Sequence, residues 1–377
     1  MKIRVARDCL TEALSVVGPA VPRRPSVPVL AGIRIRAEAN SASVAAFDYE
    51  ISSHAAISGT EVSEPGEVLV SGRLLTEIAK SLPAYPVELC DSGEQLEIVC
   101  GPARFTLPLM TVEDYPELPP QPPTTGTVDY TEFCDAVTQV AVAAGKDDTL
   151  PMLLGINLEF HADFLRLVST DRFRIAIREL DWQPSSPITG DQPATVLIPA
   201  RALADTSRAL SGSRLELACG PAQTVLGLAS DSQRVTLRTL DMAYAPYQGY
   251  LVDRRTATAR FTTTALADAL KRVSLLSTRG AQVQLSCTTT KTLVSAGTDN
   301  DGNAEETLAC EFDGDPLTIV FNPRYLLDGL AAIRTDTVEL ALNGPTRAAV
   351  LRPGSCISGD RHRDGLLYVL MPVRPPG

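Results

Sequence analysis

The sequence predicts an α+β fold made of three similar domains in an arc, with strands outside and helices inside. Three observations predict it. An apolar run, a short polar or proline step, an arginine and a helical pattern recur together at residues 68–83, 196–211 and 318–335. Their arginines, Arg73, Arg201 and Arg324, lie 128 and 123 residues apart, a repeat of the kind that defines an architecture. VPVLAGIRIRA and LPMLLGINLEF also match, placing Pro28 and Pro151, and Gly32 and Gly155, 123 residues apart. Each repeat holds two helical patterns among many strands. Two helices cannot cover both faces of that much sheet, so they gather on one side.

Domains of roughly 100–200 residues would divide the chain into two or three. The repeat spacing selects three: 1–122, 126–249 and 254–377. The first opens with a strand at 3–5. Asp8 predicts the N-cap of a helix through Val17, ended by Gly18-Pro19. Strands follow at 32–37, 43–48 and 50–57. In the repeated unit Ser71, Pro199 and Asn322 stand where helices begin, as caps or a first-turn proline. Leu75, Ile78 and Leu82 make the first unit's buried stripe. Strands at 87–90, 95–100 and 104–109 lead to a proline-rich linker, 113–126. The second domain repeats the order with a helix at 131–144 and a strand through STDRFRIAIREL. The third has a helix at 264–277 with Leu266, Leu270 and Val273 on its apolar face.

The chain is acidic, with 34 basic and 45 acidic residues and a net charge of −11. Such a chain repels nucleic acid on average, but binding follows the local field. Arg73, Lys80, Arg201, Arg208, Arg324 and Arg334 all fall off the apolar stripes of the three equivalent helices. A solvated helix face explains any one of them; the threefold recurrence points to a shared basic surface.

Eight cysteines include no C-x-x-C pair, which argues against zinc and against a disulfide framework. The N-terminus lacks a secretory apolar run. No stretch approaches ~18 continuous apolar residues, so the expectation is a cytoplasmic chain with no membrane span. The three histidines, His54, His161 and His362, show neither metal spacing nor a nucleophile–base pattern. His362-Arg363-Asp364 mimics a kinase tripeptide, but no Gly-rich loop accompanies it. The acidic stretch 298–306 fails the calcium-loop ligand set. A binding scaffold with no cofactor and no metal fits better than an enzyme.

Specific motifs carry a resemblance. They are RPSVPVLAGI from Arg24, FDYE from Phe47, L-P-x-L-x-G from Leu150, STDRFR from Ser169, FNPRYLLDGL from Phe321 and YVLMPVR from Tyr368. Together, and in register over essentially the whole chain, they resemble the bacterial DNA polymerase III β sliding clamp, with an actinobacterial look. The resemblance implies a head-to-tail homodimeric ring around double-stranded DNA, serving as a processivity factor in replication. Phosphate contacts without base readout would come from Arg24, Arg73, Lys80, Arg201, Arg208, Lys271, Arg272, Arg324 and Arg334. Phe105 and Leu107 would meet Leu275 and Leu276 of the second copy at the dimer interface. A pocket walled by Leu153, Thr170, Arg174, Ile175, Ala245, Pro246, Tyr250, Asn322, Tyr325, Met371, Pro372, Val373 and Arg374 would take a Q-L-x-L-F motif. That motif belongs to the polymerase III alpha subunit, the clamp loader and repair proteins.

The chain departs from the family pattern at residues 244–252. Ala245 replaces a proline, Gly249 a basic position, and Tyr250 a smaller aliphatic. These departures suggest a divergent or second-copy clamp whose pocket excludes a clamp-directed antibiotic, an antibiotic-resistance variant. A clamp-fold protein that sequesters a ligand in place of replication is the alternative.

Overall fold

A computed structural model describes residues 1–188, 193–220, 223–251, 255–277, 282–298, 302–354 and 365–373. His362 and Arg374 lie outside the described residues. Six helices are described: α1 (Arg7–Val17), α2 (Gly72–Ser81), α3 (Tyr130–Ala141), α4 (Ala200–Ala209), α5 (Thr263–Val273) and α6 (Pro323–Ile333). They fall two to a repeat, as the patterns predict. Asp8 does not cap α1. Ala6 takes the N-cap position, and Asp8 sits in the first turn, 2.6 Å from Arg7, where its charge still favours the helix N-terminus. Pro199 ends its strand, Ala194–Pro199, and is not in the first turn of α4. In α6 the first-turn proline is Pro323, and Asn322 caps the helix by accepting the Arg324 N–H at 3.0 Å. Ile78 is only half-buried; Ala79 takes its place between Leu75 and Leu82, because steps of four and three keep one helix face. Arg334 lies past the end of α6 as a left-handed C-cap, with φ 56°.

The chain divides into two compact units: Met1–Cys134 with Trp182–Thr189 and Arg201–Asp241, and Asp135–Asp181 with Gly190–Ala200 and Met242–Gly377. The cut runs through the second repeat because its strands pair in both directions. Gln233–Arg238 pairs antiparallel with Ile51–Ala56 of the first repeat. Arg174–Pro184 pairs antiparallel with Leu367–Leu370 of the third. Each pairing covers two edges that would otherwise stay open. A further strand, Glu61–Glu64, pairs with Lys2–Ala6; it is too polar to be read from the sequence.

In the second unit a long antiparallel sheet runs from Ala194–Pro199 through Gly155–Phe160, Phe164–Thr170, Arg174–Pro184, Leu367–Leu370, Ala349–Pro353 and Thr337–Leu342 to Ala257–Thr262. α6 lies against it at close range. A Cβ on Gly329 would stand 2.6 Å from the Tyr368 ring, and Tyr368 donates its hydroxyl to the Tyr325 carbonyl at 2.9 Å. This seat brings Arg324 and Tyr325 beside the turn at 170–174.

Candidate partner groove and basic helix faces

The turn between Phe164–Thr170 and Arg174–Pro184 builds the site. Asp171 accepts the backbone N–H groups of Phe173 and Arg174, each at 3.1 Å. Arg174 is 4% exposed. Its guanidinium holds Asp171 at 2.9 Å, Asp328 at 2.6 Å and the Tyr368 hydroxyl at 3.1 Å, and lies 4.5 Å from the Tyr325 ring centroid. A buried charge satisfied on every side is a rigid strut. Phe173, half exposed, stacks on Tyr325 at 6.1 Å. Met371 donates its N–H to the Phe173 carbonyl, and Val373 to that of Val320, both at 2.8 Å, which fastens the segment 371–373 to the turn and to the strand Leu317–Phe321.

Two cavities meet at this turn. The larger, about 390 Å³, is lined by Leu153, Arg174, Tyr325, Arg172, Phe173, Arg324 and the segment 144–150. The smaller, about 260 Å³, has Ile175 and Val369 in its floor and Thr170, Ala245, Pro246, Tyr247, Tyr250 and Met371 around it. Arg172 and Arg174 line both. The expected pocket residues are therefore brought together, but as two lobes. Asn322, Pro372 and Val373 line neither. Arg324, expected on a DNA-facing surface, lines the larger lobe. Arg172, Phe173, Lys146 and Tyr247 are wall residues that the sequence reading missed.

The loop wall is anchored from below. Tyr247 donates its hydroxyl to Glu159 at 2.8 Å. Glu159 also accepts from Arg166 at 3.3 Å and from Asn157 at 3.2 Å, and Arg166 holds Glu179 at 2.6 Å. Burial first, then the Glu159 carboxylate, push the Tyr247 hydroxyl well above its ordinary pKa, so it remains a donor. Tyr250 stands at the mouth, 54% exposed, and Gly249 beside it has open space.

The helix cations are exposed as expected, but most are already paired. Arg73 meets Glu77 at 2.9 Å, Arg201 meets Asp205 at 3.6 Å and Arg208 shares Asp205 at 3.8 Å. Lys271 meets Asp268 at 3.0 Å, Arg272 meets Glu306 at 2.7 Å, and Arg334 meets Asp135 at 2.6 Å. Arg24 and Lys80 are exposed and make no ion pair among the described residues. Of the expected interface residues, Leu275 is 82% exposed, while Phe105 and Leu276 are half-buried. Leu107 is a correction: at 5% exposure it packs in its own chain's core, paired with Leu96, and has almost no surface to offer a second copy.

Comparison with known proteins matches residues 1–119 to the N-terminal domain of the DNA polymerase III beta subunit, 127–246 to its central domain and 253–374 to its C-terminal domain. The beta sliding clamp of Streptomyces coelicolor is 40% identical, with all of both chains covered. The beta sliding clamp homolog GriR of Streptomyces muensis is 34% identical over 99% of each chain. A Pseudomonas aeruginosa sliding clamp solved bound to griselimycin has a TM-score of 0.89 at 24% identity, covering all of both chains. No described helix is long and apolar enough to cross a membrane. With all three domains matched in order along its length and a full-length relative at this identity, the chain belongs to the DNA polymerase III beta subunit family, the beta sliding clamps.

Proposed function

We propose that two copies of this chain close head to tail into a ring around duplex DNA and act as a non-catalytic processivity factor in the cytoplasm. The three domains are 1–122, 126–249 and 254–377. The observation that carries the reading is the recurrence of exposed cations on equivalent helices of an acidic chain. Their neighbouring carboxylates hold them weakly, since exposed helical pairs contribute only about 0.3–0.5 kcal/mol. A phosphate can take over such a cation, and contacts without base readout allow sliding. The two-lobed groove takes the clamp-binding motif of the polymerase alpha subunit, the loader and repair proteins, an apolar site with few polar groups being suited to a short peptide. The retained cations and in-register domains favour this role over ligand sequestration.

The test is topological. Protein loaded on closed circular DNA should stay bound through gel filtration and leave when the circle is cut once. Retention on the linear product, or none on the circle, would refute enclosure.

Tyr250 favours a second layer to this reading. It projects at the mouth of the smaller lobe, where the family pattern has a smaller aliphatic residue. We infer that this narrows the lobe against a bulky clamp-directed antibiotic such as griselimycin while the natural motif still enters. Gly249→Arg has room at its site. Combined with Tyr250→Leu it should raise griselimycin affinity by about tenfold or more, or 1.4 kcal/mol, in calorimetry. Unchanged affinity would sink the idea.

A further inference from the structure

Two thiols meet at one hydroxyl in the third repeat. The Thr292 hydroxyl lies 3.4 Å from the Cys287 Sγ and 3.1 Å from the Cys310 Sγ, and its single proton serves one of them at a time. Cys287 and Thr292 are buried; Cys310 is half-buried. Cys90, Cys100, Cys134 and Cys219 turn their sulfurs to backbone carbonyls, the ordinary setting of a thiol that packs as a small apolar group. None of the three residues lines either lobe of the groove.

Strand pairing alone would keep these sulfurs apart. Cys287 faces Thr292 on the sheet, and Thr292 faces Leu308. Residues two strands apart stand about 10 Å from each other, outside the Cα separation of about 4.4–6.8 Å that a disulfide spans. Cys310 leaves that ladder. Past the end of Gly302–Ala309, its N–H donates to the Thr290 carbonyl at 3.2 Å, and the Phe312 N–H donates to that of Thr289 at 3.3 Å. The chain thereby crosses the turn 288–291 and brings the Cys310 Sγ to 3.8 Å from the Thr288 carbonyl, one residue from Cys287. The two thiols differ in access. Burial, against the Thr292 hydrogen bond, holds the Cys287 thiol up at about 11, whereas Cys310 is the sulfur that solvent reaches.

We propose that Cys287 and Cys310 form a reversible modification site, a thiol pair that peroxide closes into a disulfide. The Cys310 sulfur attacks one oxygen of hydrogen peroxide. The O–O bond breaks, the thiol proton leaves with the departing hydroxide as water, and Cys310 becomes a sulfenic acid. The Cys287 sulfur then attacks the Cys310 sulfur. The S–S bond forms, the S–O bond breaks, and the Cys287 proton leaves with the second oxygen as water. The two thiols together give two electrons to the peroxide. A thiol reductant reverses the step by exchange at the same bond. The bond would link the ends of two strands, Val283–Cys287 and Gly302–Ala309, that share no ladder.

The experiment treats the intact protein with hydrogen peroxide, unfolds it in N-ethylmaleimide to block the remaining thiols, and maps its peptides without reduction. The peptides holding Cys287 and Cys310 should appear linked, two hydrogens lighter than their reduced forms together. The chain should still run as a monomer on a non-reducing denaturing gel, and dithiothreitol should return both thiols. In Cys287→Ser the reaction should stop at a Cys310 sulfenic acid, captured by dimedone. In Cys310→Ser the Cys287 thiol should survive the peroxide and be fully alkylated. Both variants are checked for an unchanged melting midpoint, and the linkage in the intact protein needs neither. Cys310 carried to a sulfinic acid while Cys287 stays free overturns the proposal. So does a disulfide joining either thiol to another cysteine or to a second copy, or no oxidation of either. These readouts are independent of DNA and of the groove.

Discussion

Tyr247 shows how one side chain sets the shape of a binding wall. Its hydroxyl is the bond that ties the loop of Ala245, Pro246 and Tyr250 to the sheet, through Glu159 and Arg166. Glu159 is buried, so removing a donor leaves part of a carboxylate unsatisfied, which costs more than the net value of an average hydrogen bond. Tyr247→Phe should destabilise the protein by about 1–3 kcal/mol, read as a lower urea midpoint at unchanged slope. An unchanged midpoint would mean that the loop is held by packing of Tyr247, Val168 and Val369 alone. At this scale Arg174 was legible in the sequence because it sits in a recognised motif. Arg172 belongs to the same motif, but its place at the divide of the groove was not legible, since no composition or period reports the sign of φ. The repeat did carry a signal: Tyr49, 123 residues earlier, also has positive φ, at 73°. Asp48 accepts the N–H groups of Glu50 and Ile51 there, as Asp171 does in the second repeat. Aligning FDYE with TDRF shows two copies of one aspartate-capped turn.

At the scale of the element, α2 and α4 present cations together with their own neutralising acids. Spacings of three and four residues place Glu77 beside Arg73, and Asp205 beside both Arg201 and Arg208. The charge pattern is visible in the sequence, and the acids interleaved with the cations leave a smaller free field than the positive positions alone suggest. The carboxylates lower the attraction for phosphate without abolishing it, which suits a contact that must slide. Glu77→Gln with Asp205→Asn should tighten DNA binding and steepen its salt dependence by about one unit of slope for each cation freed. Affinity measured across a salt series checks this, and an unchanged slope would place these helix faces away from DNA. Helix existence and spacing were legible because apolar periodicity reports them directly. Starts were shifted by one or two residues, since Ala6 rather than Asp8 precedes α1 and α5 begins at Thr263, and a cap depends on local dihedrals that sequence does not state.

For the whole molecule, the repeats share sheets. The second repeat gives Gln233–Arg238 to the first and Arg174–Pro184 to the third, so each junction is a ladder of backbone hydrogen bonds and not a flexible hinge. That also explains why the compact units do not coincide with the repeats. Leu275 is an exposed leucine just past α5. It is 82% exposed next to the half-buried Leu276, and the proposed ring would cover it with a second copy. Leu275→Asp should convert dimer to monomer in sedimentation velocity without lowering the melting midpoint of the chain itself. A dimer that persists would move the interface elsewhere. Leu107 cannot share that role, because it has already been buried within its own chain.

The sequence by itself determined the threefold repeat, two helices per repeat, the basic positions and the family, because periodicity and motif spacing are one-dimensional and survive without coordinates. Only the tertiary structure decided which side chains meet. It split the pocket into two lobes, moved Arg324 into one of them, buried Leu107, paired most helix cations and set Arg172 at the divide. Those outcomes depend on distances between residues far apart in the chain, on the sign of a backbone dihedral, and on which neighbour fills each remaining space.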